Sequence, residues 1–269
     1  MANYPFFSHN GTLTSATEAV VPLDNIEYAY GFGVYETVRV VKGSARFLAD
    51  HCTRLMSSAR IINLEHLFTL NTVMQAAEDL IEKNKVEACN LKILLIGGKT
   101  KDTANLYIEC LAPLYPDRKL YTQGAKVITC QYERFLPQAK TLNMLGSYLA
   151  YKDALSQGAY DALLINSKGY ITEGTRTNFF AIKENNLFSA PEKDILLGVT
   201  RDHVIKVAEA NALKIIERDI KPGELKDYDG AFLTSTSTKI MPIISVDDFT
   251  WPEIPTQTKR LMQKFSEQY

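Results

Sequence analysis

The change of period between Gly33 and Ile62 constrains this chain most. Gly33-Val34-Tyr35-Glu36-Thr37-Val38-Arg39-Val40-Val41 alternates and is rich in β-branched residues, which suits a strand with one face buried. Lys42-Gly43 makes a turn and Ala45-Arg46-Phe47-Leu48 returns. Then Leu48, Cys52, Leu55, Met56, Ala59 and Ile62 recur at helical spacing, so a hairpin feeds directly into a helix that must pack on it. Arg54 lies off the centre of that stripe and, on the pattern alone, is a solvated surface arginine.

The rest of the chain repeats this mixture. Tyr4 to Ser8 and the residues after His9-Asn10-Gly11-Thr12 form a strand, turn and strand, because Asn-Gly is a strong hairpin signal. Pro22 to Glu27 reads as a loop or a single helical turn. Leu70 to Asn84 is an amphipathic helix with Thr69 or Asn71 as its cap, and Asn90–Ile96 and Leu106–Leu111 are strands. Pro113 to Lys119, with two prolines and three charges, is the linker candidate. The second half reads as a strand over Ala125–Tyr132, a helix from Leu142 to Ser156 ended by Gly158, and hairpins over 161–172 and 178–188. A helix from Thr200 to Asn211, strands at Lys214–Glu217 and Ala231–Leu233, and a closing helix over Ile254–Phe265 complete it. Strands and helices of this kind predict an α+β fold in two domains.

Balanced charge, with 30 basic and 31 acidic residues, argues against a nucleic-acid partner bound by bulk positive charge. No apolar run reaches membrane-spanning length and no secretory leader is visible, so no membrane association is expected and a cytoplasmic location follows as the default. Cys52, Cys89, Cys110 and Cys130 form no CxxC pair and read as free thiols, Cys52 and Cys89 in or beside helices and Cys110 and Cys130 in strands. His9, His51, His66 and His203 make no metal-binding spacing, so no metal site is expected.

Two stretches carry chemistry. Gln138 to Leu145 places Lys140 just before an apolar, helix-forming run, and Ile171 to Phe180 places Glu173 at the end of a short strand. A lysine amine forms Schiff bases with carbonyl compounds, and a lysine with a carboxylate suits the two ends of a pyridine-ring cofactor. Gly198 and Thr200 suit a helix N-terminus, where free N–H groups favour an anion. The run Thr234-Ser235-Thr236-Ser237-Thr238, just past an apolar strand, is a hydroxyl-lined pocket or a polar loop.

In order along the chain, Gly33–Arg39, His51–Leu55, Lys140–Asn143, Glu173-Gly174 with Asn178–Phe180, Leu197–Arg201 and Ser235–Pro242 resemble the class IV aminotransferases, the fold-type IV pyridoxal-phosphate enzymes. This family includes branched-chain and D-amino-acid aminotransferases and aminodeoxychorismate lyases. The resemblance implies two α/β domains, residues 1–116 and 123–269, joined by a linker at 117–122, with pyridoxal 5'-phosphate at their interface. It also implies a homodimer, with an amino acid and a keto acid as substrates. By position, Lys140 is the Schiff-base and proton-shuttling lysine and Glu173 the partner of the pyridine nitrogen. Arg54, Val199, Thr200, Ser235 and Thr236 would hold the cofactor and its phosphate, reversing the bland reading of Arg54. Leu196 would pack on the ring, and Tyr35, Lys92 and Ser237 would meet the substrate.

Three departures keep the subfamily open. Gly31-Phe32-Gly33 replaces the common Gly-Asp-Gly. Leu145 stands where branched-chain enzymes place a tyrosine on the cofactor's phenolic oxygen, leaving Arg134 or Tyr28 as substitutes. No Arg-x-His pair follows Asn90–Ile96; Lys92 and Lys140-Thr141-Leu142-Asn143 lean towards the lyase branch, yet Gly97-Gly98 stands where a lyase has Arg-Gly. Transamination is the expected reaction. The alternatives are release of pyruvate and 4-aminobenzoate from aminodeoxychorismate, or a non-catalytic relative that only binds ligand.

Overall fold

The computed structural model describes residues 4–21 and 24–269. Pro22 and Leu23, the start of the loop expected before Glu27, lie outside the described residues. The chain divides into two compact units, Met1–Leu114 with Ala139–Asn143, and Tyr115–Gln138 with Met144–Tyr269.

The first unit holds strands β1 (Phe6–His9) and β2 (Thr12–Ser15), helix α1 (Ile26–Ala29), strands β3 (Gly33–Val41) and β4 (Ser44–Ala45), helices α2 (Leu48–Ile61) and α3 (Leu70–Lys83), and strands β5 (Ala88–Ile96) and β6 (Asn105–Leu111). They form one sheet in the order β2-β1-β6-β5-β3-β4. Asn10 and Gly11 both take positive φ, the backbone that an Asn-Gly hairpin turn requires. Thr69 caps α3 through reciprocal bonds with Thr72. Alternation along β3 and β5 sends Val34, Val38, Leu91, Ile93 and Leu95 into a core with α2 and α3, whose buried faces supply Cys52, Leu55, Val73 and Leu80. The opposite face of the sheet, with Tyr35, Thr37, Lys92, Leu94, Tyr107 and Glu109, is only half buried.

The second unit holds α4 (Lys119–Gln123), β7 (Ala125–Gln131), α5 (Leu145–Ser156), β8 (Asp161–Ile165), β9 (Ile171–Gly174), β10 (Asn178–Lys183), β11 (Asn186–Ser189), α6 (Val199–Ala210), β12 (Lys214–Glu217), β13 (Gly230–Ser235), β14 (Lys239–Val246), β15 (Phe249–Thr250) and α7 (Thr256–Gln268). The strand path runs β12-β11-β10-β13-β14-β7-β8-β9, and β9 pairs again with β10 at Glu173↔Asn178. The path from β10 to β9 therefore returns on itself, which leaves fewer open strand edges. Phe179, Leu233, Met241 and Trp251 fill one side, and Phe180, Phe232, Val207 and Phe265 the other, where α6 and α7 pack.

Residues 119–123 of the linker stretch form α4. Two expectations change. Cys89 lies in a strand rather than beside a helix; all four cysteines are free, and Cys130 is only half buried. The helix expected from Leu142 begins at Leu145, because the backbone before it is used elsewhere. Tyr35 N donates to Lys140 O at 3.0 Å, Leu142 N donates to Gly33 O at 2.9 Å, and Thr141 bridges Val34. Residues 140–142 thus pair with the edge of β3 through one isolated bridge, and 139–143 belong to the first unit. Among the described residues no helix is long and apolar enough to cross a membrane.

Gly33 allows this close approach, for a Cβ there would stand 2.7 Å from Leu142 Cδ1 and 2.9 Å from Leu95 O. Gly33→Ala is expected to cost about 1–3 kcal/mol in a denaturant melt, the scale of overpacking a tight site. It should also speed hydrogen exchange at Tyr35 and Leu142; unchanged exchange there would contradict the ladder.

Candidate active site

In the first unit the site grows from the parity of β3. Tyr35 points to the half-buried face, where Lys140, its neighbour across the ladder, sets Nζ 4.6 Å above the Tyr35 ring. Lys140 N donates to Ser58 Oγ at 3.1 Å, which ties the lysine backbone to α2. Glu36 points the other way, into the core, and is fully buried.

Glu36 is bound on three sides. Arg54 Nε donates to Oε1 at 2.7 Å and an Arg54 terminal nitrogen to Oε2 at 2.8 Å, a two-pronged fork. His51 Nδ1 lies 2.7 Å from Oε2. His51, Arg54 and Ser58 are spaced three and four residues apart, so one edge of α2 carries all three. Burial alone would raise the Glu36 carboxyl, but the Arg54 charge and hydrogen bonds, with His51, hold it well below the ordinary carboxylate range. Burial lowers His51, partly offset by Glu36, so the imidazole is held neutral. Its Nε2 is buried with no hydrogen-bond partner among the described residues. Arg54 is therefore no loose surface side chain: 13% of it is exposed and its fork is clamped from behind.

In the second unit Glu173, Asn178 and Thr234 form one row across β9, β10 and β13. Glu173 is 2% exposed, and Oε2 accepts from Asn178 Nδ2 and from Leu196 N, each at 3.3 Å. Arg134 Nε stands 3.1 Å from Oε1, an ion pair without good hydrogen-bond alignment, and Arg134 also donates to Thr175 O at 2.6 Å. Asn178 Nδ2 donates as well to Leu196 O at 2.7 Å, so one amide braces both the carboxylate and the approach to α6. Gly198 caps α6 without a side chain, since a Cβ there would meet Asn178 Oδ1 at 2.1 Å. The first helical bond of α6 is Asp202 N to Gly198 O, so the amides of Val199 and Thr200 stand ahead of the ladder in the first turn.

After Glu173 the chain turns over a buried acid. Asp161 accepts from Thr175 Oγ1 and, at 2.9 Å, from Thr177 Oγ1. Burial raises its carboxyl despite these bonds. Gly174 is required here because a Cβ would lie 2.0 Å from Thr177 Oγ1. Beyond Thr234, Ser235 Oγ and Thr238 Oγ1 bond each other at 2.8 Å, which leaves Thr236 and Ser237 half buried at the tip of the turn. Thr234 Oγ1 is buried with no hydrogen-bond partner among the described residues.

The first unit thus gathers Lys140, Tyr35 and Lys92 on one sheet face with Arg54 behind it, and the second gathers Glu173, Leu196, Val199, Thr200 and the Ser235–Ser237 turn. The class IV aminotransferase model matches residues 33–246, which span every one of these positions. The chain belongs to the class IV aminotransferase family. This aminotransferase is an enzyme, 30% identical over 250 residues to D-alanine aminotransferase of Bacillus licheniformis, across 90% of this chain and 88% of that one. The branched-chain amino acid aminotransferase of Escherichia coli is similar to it in structure, with a TM-score of 0.91, 25% identity, and 98% and 94% of the two chains covered. A T.th. branched-chain amino acid aminotransferase solved with pyridoxamine 5'-phosphate shares the fold at a TM-score of 0.88, with 24% identity and coverage of 98% and 94%.

Two residues beside these groups, Glu36 and Asn178, had no role in the sequence reading. Glu36 stands at a core-facing position between Val34 and Val38, and a charge there signals a buried partner. Asn178 carried no such mark. Arg134 sits on Glu173, and Tyr28 is 47% exposed in α1. Leu145, where a branched-chain enzyme has tyrosine, is 67% exposed in the first turn of α5.

Removing Glu36 leaves Arg54 charged and unclamped. Glu36→Ala is expected to destabilise by about 3–5 kcal/mol, as for a buried pair broken on one side. A carboxyl lowered in the folded state stabilises above its unfolded pKa of about 4.3 and ceases to as the pH falls. The stability gap between wild type and Glu36→Gln in urea melts should therefore shrink from pH 7 towards pH 3. A gap independent of pH would show that the pair is not ionised.

Proposed function

We propose that the protein transfers an amino group between an amino acid and a 2-keto acid on pyridoxal 5'-phosphate, with Lys140 as the residue that binds the cofactor and moves the proton. The observation that supports this most is the pair of separately fixed groups: Lys140 held by β3 and Ser58, and Glu173 held buried by Asn178, Leu196 and Arg134. The donor set fits the group. A buried carboxylate suits a protonated ring nitrogen, and an arginine fork, helix-start amides and hydroxyls suit a phosphate dianion. The orphaned Thr234 Oγ1 and His51 Nε2 are buried polar atoms with capacity left in the same two regions.

When bound, the cofactor supplies an electron sink for charge developing at the substrate Cα. Glu173 would face the protonated ring nitrogen, with Arg134 Nε 3.1 Å from its other oxygen. Arg54, the amides of Val199 and Thr200, Thr200 Oγ1, Ser235 and Thr236 would hold the phosphate, and Leu196 would pack on the ring. Lys140 takes the proton from the substrate Cα as general base and returns it as general acid. Tyr35, Lys92 and Ser237 border the substrate. The lyase reading is the weaker one, because Gly97 offers no cation for a second carboxylate.

The working form is a homodimer. Supporting this, α5 buries Ala150 and Ala154 yet exposes Leu145, Tyr148, Leu149 and Leu155 at helical spacing, an apolar stripe suited to a second copy. Sedimentation should give a dimer for wild type and a monomer for Leu145→Glu/Leu149→Glu; a monomeric wild type would refute this.

Borohydride reduction of the cofactor-loaded protein followed by peptide mapping should place the adduct on Lys140, and Lys140→Ala should lose nearly all turnover. An adduct on Lys126 or Lys152 would overturn the assignment. Arg54→Ala should weaken cofactor binding by about 1.5–3 kcal/mol, with partial recovery in Arg54→Lys. Pyruvate released from aminodeoxychorismate, with no amino acid converted, would favour the lyase instead.

A further inference from the structure

The hydroxyl turn of the second unit is held from within and from outside. Ser235 pairs with Lys239 at the end of the β13–β14 ladder, so Thr236, Ser237 and Thr238 form the loop between them. Inside the loop Thr238 N donates to Ser235 Oγ at 3.3 Å, and the Ser235 and Thr238 hydroxyls bond each other at 2.8 Å. These two residues satisfy one another, which leaves the hydroxyls of Thr236 and Ser237, both half buried, for a ligand. Lys239 closes the loop at a φ of 58°, a left-handed backbone that a lysine keeps only where its surroundings hold it.

The outside hold comes from the linker stretch. Tyr121 OH donates to Thr238 O at 3.0 Å, from 117 positions earlier in the chain. Tyr121 lies on α4, whose start is fixed by Asp117: its Oδ1 accepts from Lys119 N at 2.9 Å and its carbonyl from Leu120 N at 3.0 Å. Leu120 and Tyr121 pack against the core of the second unit. At the other end Gly124 takes a φ of 83°, and a Cβ there would stand 2.6 Å from Ile244 Cβ. The helix therefore ends in close contact with β14, the strand that leaves the hydroxyl turn. The phenol reaches the turn from a helix held at both ends, and it grips a backbone carbonyl, so it acts on the path of the chain.

We propose that Tyr121 is a positioning residue for the cofactor phosphate: by holding Thr238 O it sets the backbone of the 236–238 loop and so aims the Thr236 hydroxyl. The inference rests on the reading of this turn as a phosphate holder. It gives the linker helix a part in cofactor binding that acts through the turn.

Tyr121→Phe removes the donor and keeps the ring on the core. Pyridoxal 5'-phosphate and pyridoxal, which lacks the phosphate, isolate the effect. In absorbance titrations of the full-length protein freed of cofactor, wild type should bind pyridoxal 5'-phosphate the more tightly. Tyr121→Phe should narrow that preference by about two- to tenfold, the range of one neutral hydrogen bond, with pyridoxal affinity unchanged. Thr236→Val should also narrow it, and in that background Tyr121→Phe should have little further effect, because both act through one contact. A preference unmoved by Tyr121→Phe, equal weakening of both ligands, or full additivity with Thr236→Val would each overturn the proposal. If wild type itself shows no preference for pyridoxal 5'-phosphate, the phosphate reading of the turn fails, and this inference fails with it.

Discussion

The buried carboxylate of Glu36 is the constraint on which the first unit depends. An ionised carboxylate with no exposure is too costly to leave without partners. Its partners must come from α2, the helix that covers that face of β3, and they arrive as His51 and Arg54 along one helix edge. The same edge ends in Ser58, which holds the backbone of Lys140. One charge therefore sets the rotation of α2, the direction of the Arg54 fork and, through Ser58, the anchoring of the lysine strand.

The second unit handles its buried acids differently. Glu173 is ringed by an amide, a backbone N–H and the Arg134 cation, groups that favour the charged form. Asp161 has hydroxyls and backbone amides, and burial raises its carboxyl. One acid is kept ready to face a cation, while the other organises the turn that carries the first. Gly174 lies between them because the Thr177 hydroxyl fills the space of a side chain. The pair Glu173-Gly174 in the sequence is thus a buried carboxylate, the one proposed to meet the cofactor, followed by a packing requirement.

Patterns that arise from neighbours in the chain were legible in the sequence. The alternation of Gly33–Val41 and the helical stripe from Leu48 to Ile62 declared β3 and α2, and Asn10-Gly11 declared the first hairpin. The order of the motifs from Gly33 to Pro242 sufficed to identify the family. These follow from side-chain period, turn chemistry and residue identity, which need no knowledge of what lies across the fold.

What depends on long-range pairing was decided only by the tertiary structure. Leu142 has the composition of a helix start, yet Gly33 and Tyr35 claim the backbone of 140–142, so the helix waits until Leu145. Arg54 appears solvated on a helical wheel, but Glu36 lies beneath it. Arg134 carries no local signal and reaches Glu173, 39 positions away, only because β7 and β9 flank β8 in one sheet. Likewise Phe32 and Gly97 stand out in the sequence as two separate departures, and only the end of the β3–β5 ladder puts the ring in the space a Cβ at 97 would take. The sequence determined the elements and the chemistry available, and the pairing of distant strands decided which of those groups share a charge.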